Sequence, residues 1–128
     1  MGRSPDANVE LTGRVIGAAI EVHRILGPGL LERIYEDCLC LELKLRRVGF
    51  ERQVGLDADY KGERLAHAYR IDILVESRVV VEIKTVAKLE YVHWAQLLTY
   101  MRLSGCSTGL LLNFNVAALR KGIVRLVL

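Results

Sequence analysis

Cysteine, proline and aromatic residues are all scarce in this 128-residue sequence, and the scarcity is informative. The three cysteines, Cys38, Cys40 and Cys106, are an odd number without a CxxC spacing. That argues against a disulfide framework or a zinc site and for reduced thiols packed as small apolar groups, so a cytoplasmic protein is expected. No run approaches ~18 apolar residues, and the N-terminus lacks the apolar region of a signal peptide, so a soluble protein without a membrane partner is expected. Aromatics make up 6% of the chain and do not interleave with a basic stripe. Linkers, repeats and low-complexity tracts are missing too. Residues 9–128 are therefore expected to form one domain behind a flexible end at 1–8. A net charge of +3 suits a polyanionic partner and equally suits a solvated basic surface.

What is present is a clear alternation of periods. Apolar residues at helical spacing (Val9, Val15, Ile16, Ala19, Ile20, Val22, Ile25) predict a helix over Val9–Leu26, broken by Gly27-Pro28-Gly29. A second helix is expected from Leu30 to Val48 on the stripe Leu31, Ile34, Tyr35, Cys38, Leu41, Leu45, with Gly49 ending it. Strands are expected at Phe50–Tyr60, Arg64–Val75 and Arg78–Lys84, joined by turns at Lys61-Gly62-Glu63 and Glu76-Ser77-Arg78. A helix over Tyr91–Leu103, a strand at Ser107–Asn113, a short turn or helix at Val116–Lys121 and a last strand at Gly122–Leu128 complete the chain. The fold class is α/β: a mixed central sheet flanked by helices.

Against that apolar background, three charges stand out. Asp72 and Glu82 lie ten positions apart, with Lys84 two further on, inside runs that otherwise read as buried strands. Burying charge is costly unless the charge is paired or holds a metal. Side chains alternate faces along a strand, so Glu82 and Lys84 point one way and Ile83 the other. The turn at 76–78 folds Asp72 back beside them.

The pattern Asp72…Glu82-Ile83-Lys84 resembles the signature of the PD-(D/E)xK nuclease superfamily, with Ile71 where the signature has proline. The central order α-β-β-β-α-β resembles the restriction-endonuclease-like core, here with an extra N-terminal helix. Gln96-Leu-Leu-Thr-Tyr100 resembles the QxxxY motif of its exonuclease-like branches, and Gly29-Leu-Leu-Glu32-Arg-Ile-Tyr35 resembles the motif of the small bacterial GxxExxY proteins. His93 before the glutamine and the pair Asn113-Phe114 belong to the same likeness, which spans about Leu11 to Leu128.

That resemblance implies hydrolysis of phosphodiester bonds in nucleic acid, DNA ahead of RNA, with Mg²⁺ or Mn²⁺ as cofactor. Asp72, Glu82 and the backbone carbonyl of Ile83 are the expected metal ligands, and Glu32 a further acid, bound directly or through water. Glu36, one turn on from Glu32 along the same helix side, is easily confused with it. Lys84 is expected to orient water or stabilise transition-state charge, the electrostatic role being preferred because nearby carboxylates favour its charged form. Gln96 and Tyr100 share a helix face as supporting residues, and Arg70, on the strand face of Asp72, is a candidate phosphate contact. His93 and Trp94 read as packing or local hydrogen-bonding residues, and His23 and His67 as surface residues or satisfied partners. Lys44, Arg46, Arg47 and Arg52 form a basic cluster near the end of the second helix. The rival reading is a non-catalytic binding or regulatory module on the same scaffold, and either reading leaves room for a homodimer or a partner subunit.

Overall fold

The computed structural model describes residues 8–128. The chain runs α1 (Val9–Leu26), α2 (Glu32–Leu45), β1 (Phe50–Tyr60), β2 (Glu63–Val75), β3 (Val79–Lys84), α3 (Tyr91–Ser104), β4 (Thr108–Asn113), a 3-10 turn (Leu119–Gly122) and β5 (Ile123–Val127). The strands form one mixed sheet in the order β1-β2-β3-β4-β5, with β3 and β4 parallel and the other pairs antiparallel. A parallel pair needs a crossover, and α3 is that crossover.

Two apolar layers sandwich the sheet. Val79, Val81 and Ile83 face α1 and α2, packing with Val15, Val22, Tyr35, Leu39, Leu43, Leu110 and Leu112. On the opposite face Val80 and Leu111 pack against Leu97, Tyr100 and Met101 of α3. Period two thus divides each strand between the layers.

The helix boundaries expected from periodicity hold closely, whereas the buried stripes differ. In α1 the buried residues are Leu11, Thr12, Val15, Ala18, Ala19, Val22 and His23, while Val9 and Ile25 are exposed. In α2 they are Tyr35, Glu36, Leu39, Cys40 and Leu43, leaving Leu41 and Leu45 in solvent. Both helices carry apolar residues on more than one side, and contact with the sheet selects the buried side. The second helix stops three residues early, because Arg47 adopts left-handed geometry (φ 60°) and Val48 N–H closes back on Leu43 O. Gly49 instead docks on the β2–β3 turn, donating its N–H to Glu76 Oε2 at 2.7 Å.

Both tight hairpins use two consecutive left-handed residues, Lys61-Gly62 (φ 50° and 83°) and Glu76-Ser77 (φ 52° and 55°). Such turns match the right-handed twist of paired strands. Of the end expected to be loose, residues 1–7 lie outside the described residues. Asn8 is buried, donates to Thr108 Oγ1 at 2.9 Å and accepts from Arg78 Nε at 2.9 Å.

Candidate active site

The β2–β3 ladder runs through Val75↔Val79, Leu74↔Val80 and Ile73↔Val81, then stops. At the next position stand Asp72 and Glu82. Instead of a backbone pair, Asp72 N–H donates to Glu82 Oε2 (2.8 Å) and Ile83 N–H donates to Asp72 Oδ2 (2.9 Å). Each carboxylate therefore takes over an amide freed where the strands part. This fork lets charge occupy a sheet interior, since a carboxylate holding backbone N–H bonds is partly compensated for burial. N–H and C=O of one strand residue point to the same edge. With its N–H directed to Asp72, Ile83 turns its carbonyl into the same fork.

A kink in the hairpin shapes the fork from the other side. Arg52↔Ile73 and Val54↔Ile71 pair, but Gln53 between them is left-handed (φ 52°) and no pair forms with Asp72. Strand parity alone would put Ile71 and Ile73 in one layer. Ile73 packs beneath α1 and α2, whereas Ile71 joins the α3 layer.

Burial pushes the Glu82 carboxyl up to about 8, with the neighbouring Asp72 charge adding to the rise while the Asp72 amide and Lys84 oppose it. Asp72 is shifted upward too, first by burial, against the bond from Ile83 N–H. Among the described residues neither acid forms an ion pair. Lys84, on the Glu82 side of β3, donates from Nζ to Gln96 Oε1 of α3 at 2.7 Å. Tyr100, one turn further along α3, is buried and tilts against Tyr69 of β2 with ring centroids 5.7 Å apart. Its hydroxyl is made less acidic by burial and by the Glu82 and Asp72 charges.

Glu32 is the first residue of α2, and the turn before it is fixed by Tyr35. The Tyr35 hydroxyl donates to Gly27 O at 2.5 Å and accepts Leu30 N–H at 3.1 Å, while its ring stacks on Phe114 with centroids 4.5 Å apart. Gly29, at φ 95°, takes a conformation that side chains resist. Glycine, glutamate and tyrosine of this segment thus make the turn, face the cleft and pin the turn to the core. Glu36 is separable from Glu32 here: it is buried, and Arg52 (2.9 Å) and Gln53 (3.0 Å) engage its carboxylate.

Glu32, Arg70, Asp72, Glu82, Lys84, Gln96 and Tyr100 all line one cleft of about 720 Å³. Gln53, Gly55, His67 and Tyr69 line it as well, and sequence reasoning did not single them out for it. Their signal is weak, because β1 and the outer part of β2 look like ordinary exposed strand and a left-handed residue leaves no period. Other polar residues have structural duties. His93 accepts Glu90 N–H in the capping box that starts α3, and His23 Nε2 lies 2.8 Å from Val116 O. Asn113 clamps Val86 through N–H and C=O. In the basic cluster, Arg46 pairs with Glu42 and Arg52 with Glu36 and Asp37.

The donor set is oxygen only and suits a hard divalent cation. A buried Glu82 and a half-buried Asp72, whose charges burial opposes and which form no ion pair among the described residues, are the feature that such an ion would relieve. Among the described residues no three His, Cys, Asp or Glu side chains gather into a metal cage.

A mixed sheet of this order, flanked by three helices and carrying an acid-acid-lysine set at a strand fork, defines a restriction-endonuclease-like α/β protein. A family profile for the PD-(D/E)XK nuclease superfamily matches residues 9–126, and the chain belongs to that superfamily. Neither a curated protein nor a solved structure matched the chain.

Proposed function

We propose that this protein is a divalent-metal-dependent nuclease that hydrolyses phosphodiester bonds in nucleic acid, DNA ahead of RNA, and that within its superfamily it is one of the GxxExxY proteins. The observation that carries this reading is the buried Glu82 beside the half-buried Asp72, neither of them in an ion pair among the described residues, opening with Lys84 onto one cleft. Asp72, Glu82 and the Ile83 carbonyl would hold Mg²⁺ or Mn²⁺, and Glu32, which lines the same cleft, would act directly or through water. When bound, the ion supplies an acidified water and neutralises phosphate charge. Lys84, oriented by Gln96, places its ammonium where negative charge grows on the phosphoryl oxygens, and its fixed position avoids reorganisation during reaction. Arg70 offers a bidentate donor to a phosphate at the rim. Tyr100 closes the inner wall behind the carboxylates and keeps water from the apolar layer.

The same reading takes residues 9–128 as one domain working in the cytoplasm, in keeping with its free cysteines. Among the described residues no helix is long and apolar enough to cross a membrane. With few aromatics to grip a strand, a second copy or a partner subunit would supply specificity.

The test is to incubate the protein with DNA and RNA in Mg²⁺ or Mn²⁺, alongside Asp72→Asn and Lys84→Ala. Each substitution is expected to slow cleavage by roughly 10²–10³-fold, the usual loss of a group that stabilises transition-state charge, with the circular dichroism spectrum unchanged. Equal cleavage by all three proteins would assign the activity to a contaminant. Nucleic-acid binding without cleavage or metal uptake would favour the binding module.

A further inference from the structure

A second stretch of the cleft lining, where β1 and β2 fall out of register, is shaped around one side chain. Between the pairs Leu56↔Tyr69 and Ala58↔Leu65, a single β1 residue, Asp57, faces three β2 residues, Ala66, His67 and Ala68. Bulges of this kind re-aim a side chain and favour the surroundings of functional sites. His67, at their centre, is left-handed (φ 53°), a conformation that costs a residue with a side chain. Asp57 holds the bulge by accepting His67 N–H at 2.9 Å.

Across the ladder lies Gly55. A methyl group there would overlap the imidazole at Nδ1, so only glycine leaves the ring its place. The ring is not buried, and among the described residues its nitrogens have no hydrogen-bond or ion-pair partner. Backbone strain, a supporting aspartate and a side-chain-free neighbour therefore converge on aiming one imidazole that does no structural work. Its surroundings are the cleft shared with Arg70, Asp72, Glu82 and Lys84.

We propose that His67 is a substrate-binding residue whose imidazole N–H donates to a phosphodiester oxygen of the strand lying across the cleft, at a phosphate flanking the one held at the acid pair. Asp57 and Gly55 are its positioning residues. The assignment rests on the nuclease reading above, and the experiment separates the two.

Fluorescein-labelled single-stranded and duplex DNA oligonucleotides, titrated in Ca²⁺ at fixed salt, give Kd by anisotropy, and thermal scans give Tm. His67→Gly removes the ring and suits the left-handed backbone. Its Kd is expected to rise roughly tenfold, the scale of one hydrogen bond to a charged group, while Tm holds or rises by on the order of 4 °C. Gly55→Ala keeps the histidine but evicts its ring, and its Kd is expected to rise in the same direction. Wild-type affinity in His67→Gly, or a Tm that falls together with affinity, overturns the assignment and leaves the nuclease reading standing. A wild type that neither binds nor cleaves DNA or RNA overturns both.

Discussion

The two faces of the sheet are made by the same strands and have opposite characters. Beneath α1 and α2, Val79, Val81 and Ile83 of β3 meet Leu110, Leu112 and Phe114 in a continuous apolar layer. Beneath α3 the layer begins the same way, with Val80 and Leu111, and then gives way to Glu82 and Lys84. The change falls where β2 leaves β3. A closed ladder consumes every amide and makes charge costly, whereas an open fork offers amides to carboxylates. One face is thus optimised for packing, and the other gives up packing to keep two acids in a poor environment.

Leu110→Ala probes the first face. This fully buried side chain sits in the α1–α2 layer, and its truncation is expected to cost about 3 kcal/mol, from lost transfer energy and the cavity left behind. Denaturant unfolding measures it. Below the lowered melting temperature, cleavage should match wild type. If the substitution damaged cleavage as much as stability, the faces would not be separable.

Glu82→Gln probes the second and is expected to have the opposite sign. The carboxyl, ordinarily ionising near 4.5, is raised to about 8 in the folded protein. The folded state therefore binds a proton across that interval when the unfolded chain does not. The contribution of the protonated form is complete below 4.5 and lost as pH rises through about 8. Wild-type stability should fall over this window in the absence of divalent ions. Glu82→Gln, always neutral and still able to accept Asp72 N–H, should be about 2 kcal/mol more stable than wild type at pH 8.5, roughly half of what the full rise would give, because the open cleft lets water relax around the charge. Adding Mg²⁺ should stabilise wild type and leave the variant unmoved. A variant less stable than wild type at pH 8.5 without metal would show that the fork already compensates the charge.

The contrast between faces was largely visible in the sequence, because it is carried by period. Odd-numbered valines and isoleucines, with Glu82 and Lys84 on the even positions, announce one packed and one charged side. The superfamily, matched over residues 9–126, was legible from Asp72, Glu82 and Lys84 together with the element order and the Gln96–Tyr100 spacing. What stayed hidden depends on contacts rather than period. Glu36 is buried only because Arg52 and Gln53 meet it from a strand, and Leu41 and Leu45 are exposed only because the other side of α2 faces the sheet. The positive φ of Gln53 and His67, which bends the cleft wall into shape, occurs at residue types that do not advertise it.

Tyr35→Phe is the smallest and most discriminating change, because Tyr35 belongs to the packed face while its hydroxyl serves the other. Its ring would keep the stack on Phe114, so the core should be nearly untouched. The loss is confined to the bonds with Gly27 O and Leu30 N–H, which hold the turn leading into Glu32. Water can reach that turn, so stability should drop by only about 1 kcal/mol, read as a small shift in Tm. Cleavage should nevertheless fall several-fold, with the effect in kcat more than KM, because a loosened turn lets Glu32 wander from its place at the cleft. The two losses should then fail to add: Glu32→Ala made in the Tyr35→Phe background should cost little more than Glu32→Ala alone, since the two act through one carboxylate. Full additivity of the two losses would show that the tyrosine supports the packed face only, and that the route from Tyr35 to the cleft does not run through Glu32.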